Sequence, residues 1–184
     1  MRILAILSAA SLLAAPAAKA QRTPQLPWKL RWYDVPPLSV PAAIRSDSQY
    51  QWMLSRLEYY KTTDTVKGIR VDLNGDGAMD YIIRSAPSLC GNAGCDYEIL
   101  DGATRKSLGE FGGGVLYFLA DTARGYPTIV ARTSLGWAQA EYTTYRFSGT
   151  GYVVAKRRVE SSPTLDSLNA ALDSIPWWRS PPSR

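Results

Sequence analysis

Residues 68–85 read GIRVDLNGDGAMDYIIRS, which is an apolar run, a polar turn and a second apolar run. Ile69 and Val71 precede the turn, and Tyr81, Ile82 and Ile83 follow it; β-branched and aromatic residues of this kind favour strands. The glycines within the turn supply the backbone freedom that a tight reversal needs. The stretch therefore predicts two β-strands joined by a compact loop, and it sets the character of the central part of the chain.

Further short runs rich in Val, Ile, Tyr and Thr follow, separated by clusters of Gly, Asn, Asp and Pro. Together with the first pair, the predicted strands are residues 68–71, 81–85, 97–101, 115–121, 128–133, 138–147 and 152–157. Residues 103–114 contain several glycines and are predicted to be an irregular connection. The pattern predicts a mainly β (α+β) fold in which about seven strands form an antiparallel meander.

Helical periodicity appears on both sides of these strands. In residues 42–60, Tyr50, Met53, Leu57 and Tyr60 recur at spacings of three and four, which is one face of an amphipathic helix. In the second helix, Ser162 and Pro163 suit the first turn, Leu165, Leu168 and Leu172 form the apolar stripe, and Pro176 ends it. We therefore expect residues 42–175 to form a single domain, with an N-terminal and a C-terminal helix packed on the sheet.

The turn of the opening stretch carries oxygen ligands at regular spacing. Side-chain oxygens come from Asp72, Asn74, Asp76 and Asp80, at positions one, three, five and nine of the loop, and the backbone carbonyl of Ala78 lies at position seven. Calcium binds six to eight such oxygens. The alternative is a turn that binds no metal, because Asp, Asn and Gly favour turns in any case. Carboxylates held this close repel one another without a cation, so we expect a structural Ca²⁺.

The motif Asp-x-Asn-x-Asp-Gly-x-x-Asp followed by an apolar strand resembles the calcium loop of integrin-type FG-GAP and VCBS repeats. The resemblance covers residues 68–86 and implies a loop between two β-strands in which Asp80 completes the coordination. Ile83 stands where an EF-hand would have its bidentate Glu, and one copy does not predict a propeller. The longer run through residue 152 resembles small exported bacterial proteins of unknown function.

The chain has two cysteines, Cys90 and Cys95, in the sequence Cys-Gly-Asn-Ala-Gly-Cys. A disulfide is the expected state of these cysteines if the protein is exported, because disulfides form in oxidising compartments. The glycines between the two cysteines allow the backbone to close so tight a loop. A zinc site would need four ligands, and the chain contains no histidine and no third cysteine. The spacing also differs from the Cys-x-x-Cys of redox pairs.

The first 20 residues have the features of a secretory signal peptide: Arg2, an apolar run, and small residues at positions 18 and 20. The apolar run is too short for the alternative, a membrane anchor. Cleavage would leave 19 of the 21 basic residues against 16 acidic ones, a net charge of +3 (19 − 16). We expect a periplasmic or secreted protein without a later transmembrane segment, and the scattered basic residues argue against nucleic-acid binding.

Both ends of the mature chain combine proline with tryptophan. Residues 21–41 are predicted to be extended and to lie against the domain, because a solvated tail would not normally carry Trp28 and Trp32. Residues 176–184 form a second such segment, with Trp177 and Trp178. The alternative for these four tryptophans is partner binding.

These features favour a non-catalytic binding or inhibitory module of the cell envelope, stabilised by a disulfide and calcium, whose partner is an envelope protein or a glycan. One alternative is a glycan hydrolase that uses carboxylates such as Glu98, Glu110 and Glu141, because the chain has no histidine. A second alternative is a calcium-responsive sensor, although the chain lacks the helix pair that opens in EF-hand sensors.

Overall fold

A computed structural model describes residues 25–59, 65–162 and 164–179, and the strands in these ranges form two antiparallel sheets of five strands each. Sheet 1 contains, side by side, β2 (Pro37–Ser39), β3 (Thr65–Val71), β4 (Asp80–Arg84), β5 (Cys95–Leu100) and β6 (Ser107–Gly113). Sheet 2 contains, side by side, β1 (Trp28–Arg31), β7 (Val115–Ala123), β8 (Tyr126–Gly136), β9 (Gln139–Phe147) and β10 (Tyr152–Ser161). The helices are α1 (Ala42–Arg45), α2 (Ser48–Arg56) and α3 (Thr164–Asp173).

The mainly β class is confirmed, whereas the prediction of one seven-stranded meander is wrong. The chain forms two successive meanders, β2 to β6 and β7 to β10, and β1 joins the second one beside β7. The predicted irregular segment contains β6. The β5–β6 register shifts between Ile99 and Leu100, so Leu108 and Phe111 are both buried although they are three residues apart. This bulge hides the alternation by which a strand is recognised in sequence.

The main hydrophobic core lies between the two sheets. In sheet 1 it includes Ile82, Ile99 and Phe111, and in sheet 2 Phe118 and Ile129; all five are fully buried. Side chains alternate between the faces of a strand, and the neighbours of an inward residue therefore point away from this core. The protein is thus a two-sheet sandwich whose outer faces need covers of their own.

Helices cover both outer faces. On sheet 1, Tyr81 and Ile83 pack against Tyr50 and Met53 of α2. The Asp47 carboxylate caps α2 by accepting hydrogen bonds from the backbone N–H groups of residues 49 and 50, and this cap separates α2 from α1 within the predicted helix. Of the predicted stripe, residues 50, 53 and 57 are buried, and residue 60 lies outside the described residues.

On sheet 2, α3 covers Ala140 and Tyr142 with Leu165, while Leu168 and Leu172 pack at its edge, as the predicted stripe requires. The predicted first-turn residue Pro163 lies outside the described residues, as does the predicted signal peptide. Among the helices that the structure describes, none is long and apolar enough to cross a membrane.

Both Pro/Trp segments lie on the domain where they are described. Trp28 stacks on Phe118 in the core, with ring centroids 3.8 Å apart. The C-terminal segment pairs with β1: the Lys29 N–H donates to the Pro176 carbonyl at 2.9 Å, and the Trp178 N–H donates to the Lys29 carbonyl at 2.8 Å. The two ends of the domain are therefore adjacent at one edge of sheet 2.

Candidate functional site

The β3–β4 loop is held in shape by its own carboxylates. Asp72 accepts hydrogen bonds through both side-chain oxygens, from the N–H of Gly75 at 2.7 Å and from the N–H of Gly77 at 3.0 Å. The Asp76 side chain accepts from the N–H of Ala78 at 2.7 Å. The two glycines have φ values of +78° and +88°, which residues with a Cβ adopt only with strain. The glycines and acidic residues of the motif therefore act together to close the loop.

Asp80 connects this loop to the β5–β6 turn. Its carboxylate is buried and accepts from the N–H of Leu73 and from the N–H of Gly102, both at 2.9 Å. Burial raises the pKa of Asp80 to about 6; the two backbone hydrogen bonds oppose the rise, and the charges of Asp101 and Asp76 add to it. Carboxylates from two loops are therefore close enough to repel one another.

Tyr126 and Asp101, which sequence reasoning did not single out, complete this acidic cluster. The Tyr126 hydroxyl donates to Asp101 Oδ2 at 2.6 Å and accepts from Asn74 Nδ2 at 3.0 Å. Burial alone would raise the pKa of Asp101, but hydrogen bonds from Tyr126 and Thr104 outweigh it and lower that pKa. Tyr126 begins β8, so its contacts join sheet 2 to the loops of sheet 1.

The chemistry of the acidic loop suits a hard cation, because its donors are carboxylate, amide and carbonyl oxygens. Four of the predicted ligands, Asp72, Asn74, Asp76 and Ala78, lie in the β3–β4 loop, and the fifth, Asp80, is the first residue of β4. In the described part of the chain, however, no three His, Cys, Asp or Glu side chains are grouped closely enough to hold a metal ion. Calcium binding by these residues therefore stays a prediction.

The disulfide between Cys90 and Cys95 is present, which confirms that pairing. It closes the β4–β5 loop, where the Gly91 N–H also donates to the Gly94 carbonyl at 2.8 Å. Gly94 has a φ of +118°, and a Cβ there would lie 2.0 Å from the carbonyl carbon of Gly113. Only glycine allows this loop to approach β6 so closely.

Beside the disulfide loop, an open cleft of about 340 Å³ lies on the outer face of sheet 2, next to α3. We call it the aromatic cleft. Its floor and walls come from β1, β7, β8, α3, the disulfide loop, the turn after β1 and the C-terminal segment. It is lined by Arg31, Trp32, Tyr33, Asn92, Ala93, Gly114, Val115, Tyr117, Arg132, Ser134, Asn169, Asp173 and Trp177.

Arg31 packs against two aromatic side chains of the aromatic cleft, Trp177 and Tyr33. The guanidinium carbon of Arg31 lies 3.9 Å from the centre of the Trp177 ring and 4.8 Å from that of Tyr33, so it is held by two rings. Burial raises the pKa of Tyr117 to about 12, although the charges of Arg132 and Arg31 oppose the rise. The Tyr117 hydroxyl is therefore protonated at neutral pH.

The four tryptophans predicted as partner contacts lie in different environments. Trp32 and Trp177 line the aromatic cleft. Trp28 is 3 % exposed within the core, and Trp178 packs against the same core. The only fully exposed tryptophan of the described residues is Trp137, between β8 and β9, and no sequence signal distinguished it.

Of the three glutamates of the hydrolase alternative, Glu98 and Glu110 lie together and Glu141 lies apart. Glu98 is fully buried beneath α2 and faces Glu110 on the adjacent strand β6. Arg56 of α2 contacts both carboxylates. Glu141 belongs to the other sheet and pairs with Arg157 at 3.4 Å. None of the three lines the aromatic cleft.

No family model, curated protein or solved structure matches this chain.

Proposed function

We propose that the protein is an exported, non-catalytic binding or inhibitory module of the cell envelope, and that the aromatic cleft is its contact surface. The observation that carries this proposal is the placement of Trp32 and Trp177 in one open cleft, together with two arginines. Their positions in the sequence lie at opposite ends of the described domain. Tryptophan, tyrosine and arginine are the residue types that contribute most to binding energy at protein interfaces.

The backbone around the aromatic cleft is held in place, which favours binding with little loss of conformational entropy. The backbone N–H of Trp32 donates to the Gly114 carbonyl at 3.1 Å, and the backbone carbonyl of Trp32 accepts from Arg84 Nη1 at 3.1 Å. On the other side, Trp177 forms a bridge with Lys29 of β1. The buried Lys29 ammonium in turn donates to the carbonyl of Asp173 at 3.0 Å, at the C-terminal end of α3.

Two loops stabilise the module in this proposal. The disulfide fixes the loop that supplies Asn92 and Ala93 to the cleft. The acidic loop, with the oxygens of Asp72, Asn74, Asp76, Ala78 and Asp80, would hold a structural Ca²⁺, and its likeness to FG-GAP and VCBS loops supports that role. Calcium would neutralise the mutual repulsion of the carboxylates and so favour the closed loop. Export would follow from residues 1–20 and would place the protein in the periplasm or outside the cell.

The proposal is tested with the mature chain, residues 21–184, immobilised in 1 mM calcium and exposed to envelope extract. Partners that are recovered are identified, purified and titrated against the wild type, Trp177→Ala and Trp52→Ala. Trp52 is the matched control, because it is about half-exposed but lies on α2, over the other sheet. Trp177→Ala should weaken a specific partner by tenfold or more, whereas Trp52→Ala should leave it unchanged.

Melting curves of both variants check that the fold is intact. Equal affinity of the wild type and Trp177→Ala for every partner would contradict a binding role for the cleft. A chemical reaction of a recovered glycan, detected by a change in its mass after incubation, would contradict the non-catalytic part of the proposal.

A further inference from the structure

The aromatic cleft has an excess of positive charge, which indicates the class of ligand that it binds. This inference rests on the proposed function, in which the cleft is the contact surface. Its lining contains two arginines, Arg31 and Arg132, and one carboxylate, Asp173. That carboxylate is already engaged, because Lys29 Nζ lies 3.4 Å from its Oδ1 atom. Lys29 is itself only 2 % exposed, and its Nζ atom lies 4.2 Å from the centre of the Trp177 ring, which lines the cleft. A ligand entering the cleft therefore meets positive charge without a free acidic group to compensate it.

Arg132 is the group in the cleft most available to a ligand. In the described part of the chain it forms no ion pair, and its Nε atom is buried without a hydrogen-bond partner. The planar guanidinium fork matches a carboxylate, which can accept two parallel hydrogen bonds from it.

Arg31, by contrast, is positioned by the protein. It lies between the rings of Tyr33 and Trp177, and its Nη1 atom donates to the Tyr33 hydroxyl. Its Nε atom is 3.9 Å from Asp34, at the limit of an ion pair. Arg31 thus contributes a fixed positive field at the mouth of the cleft, while Arg132 keeps free hydrogen-bonding capacity.

The remaining polar groups of the cleft are neutral and suit hydroxyl groups. Asn169 Oδ1 accepts from the Tyr142 hydroxyl at 2.7 Å, which leaves its amide N–H groups for a ligand. Asn92 and Ser134 add further neutral donors and acceptors. With Trp32 as an apolar surface, the lining offers contacts for a ring that bears several hydroxyl groups.

We infer that the aromatic cleft binds a carboxylate-bearing saccharide, whose carboxylate pairs with Arg132 and whose hydroxyl groups contact the neutral polar lining. The volume of about 340 Å³ is at the lower end of the range for small-molecule sites. Longer acidic chains would bind through one carboxylate-bearing ring.

The probe is the trimer of α-1,4-linked galacturonic acid, and galactotriose is its neutral counterpart. Calorimetry is performed with the wild type, Arg132→Ala, Arg132→Lys and Arg157→Ala, all at the same calcium and salt concentrations. Arg157 is the matched control, because it is an exposed arginine paired with Glu141 and does not line the cleft. All four proteins are first compared by circular dichroism and melting.

Charge-assisted hydrogen bonds contribute about 1.5–3 kcal/mol, so Arg132→Ala should weaken the acidic trimer by about 10- to 100-fold. Arg132→Lys should lie between it and the wild type, and Arg157→Ala should bind like the wild type. The neutral trimer should bind at least tenfold more weakly than the acidic one. In wild-type NMR spectra, the acidic trimer should shift the indole N–H signals of Trp32 and Trp177 but not that of Trp52, a readout that needs no variant.

Equal affinity for the two trimers, or an equal loss with Arg157→Ala and Arg132→Ala, would overturn the inference. So would an acidic trimer that leaves the Trp32 and Trp177 signals unmoved. A failure of this kind concerns the ligand class alone. The cleft as a contact surface is judged separately, by the effect of Trp177→Ala on partners recovered from the envelope.

Discussion

The contact between Arg56 and the buried Glu98 makes a quantitative prediction about stability. Glu98 has no exposed surface, and its Oε1 atom lies 3.6 Å from Arg56 Nη1 and accepts from the Ser107 hydroxyl. The side chain of Arg56 is 34 % exposed and also binds Glu110. Removing Arg56 leaves Glu98 buried without its cation, whereas removing the charge of Glu98 leaves Arg56 with another partner. The two substitutions should therefore have very different costs.

Breaking a fully buried ion pair by removing one partner costs about 3–5 kcal/mol. Because Arg56 is about one-third exposed, water compensates part of that loss, and we expect Arg56→Met to cost about 2–3 kcal/mol. Glu98→Gln keeps an acceptor for Ser107 and should cost less than about 1 kcal/mol. The double variant should be nearly as stable as Glu98→Gln alone, which gives a coupling energy of about 2–3 kcal/mol, the whole cost of Arg56→Met.

The pH dependence follows from the same contact. Burial raises the pKa of Glu98, and the hydrogen bond from Ser107 and the charge of Arg56 oppose that rise. A raised carboxyl pKa means that the folded state holds the proton longer than the unfolded state. The stability due to this group therefore falls as pH rises from the unfolded pKa of about 4.3 to the raised folded value. Arg56→Met should enlarge this fall, and Glu98→Gln should abolish it.

Urea unfolding of the wild type and the three variants at pH 4 and pH 7.5 measures both effects. Differences between variants are used, because other groups also titrate in this range. Additive losses in the double variant, or an Arg56→Met cost that does not grow with pH, would refute the reasoning and would show that water already compensates Glu98.

Three further perturbations test the loops. For a dissociation constant of about 0.1–1 mM, calcium at 1 mM should stabilise the wild type by about 0.4–1.4 kcal/mol. The same calcium should not change the stability of Asp76→Asn, which lacks one carboxylate of the exposed loop. Calorimetry with calcium and melting curves in chelator check both expectations. Replacing Cys90 and Cys95 by alanine should cost about 2 kcal/mol in urea unfolding, because the disulfide closes a loop of only about six residues. Gly94→Ala should cost more than about 2 kcal/mol, because the added Cβ would clash with the backbone of β6. Gly91→Ala should cost much less, because a Cβ at that position has no atom within 4 Å. Coinciding melting curves of the two variants would contradict this expectation.

The strands that sequence patterns predicted are rich in β-branched and aromatic residues, and this holds even for β4, where Ile82 faces one core and Tyr81 and Ile83 face the other. β6 escaped prediction because the bulge places Leu108 and Phe111 in the core at an odd spacing. β1 escaped it because the strand has only four residues in a proline-rich segment, although its inward Trp28 and Leu30 do alternate with the outward Lys29 and Arg31. The chain passes from sheet 1 to sheet 2 between adjacent residues, since Gly113 pairs with Cys95 and the Gly114 N–H donates to the Arg132 carbonyl at 2.8 Å, and no local pattern reveals this change of partner.

The acidic loop was predictable in its residues because all of its members lie within nine positions. Asp101 and Tyr126 were not, since they reach the loop only through the return of β5 and the start of β8. The aromatic cleft was still less accessible to sequence analysis. Arg31 and Arg132 are about a hundred positions apart, and their common environment results from the pairing of β1, β7 and β8.

The topology separates the acidic loop from the aromatic cleft, and this separation favours calcium as a structural element over calcium as a switch. In an antiparallel meander, successive connections lie at alternate ends of the sheet. The β3–β4 loop and the β5–β6 turn therefore share one end, where Asp80 accepts from the N–H of Gly102. The β4–β5 loop lies at the other end and supplies Asn92 and Ala93 to the cleft.

Regulation of the cleft by calcium would need a structural element that lies between the two ends of the sheet and can adopt two conformations. The strands that connect these ends, β4 and β5, are buried in the core of the sandwich and do not provide such an element. Chelation should therefore lower the melting temperature and leave the affinity of the aromatic cleft for its ligand unchanged, because the coupling free energy between the two ends is close to zero. A change in that affinity of tenfold or more, about 1.4 kcal/mol, in protein that remains folded would instead assign calcium a regulatory role.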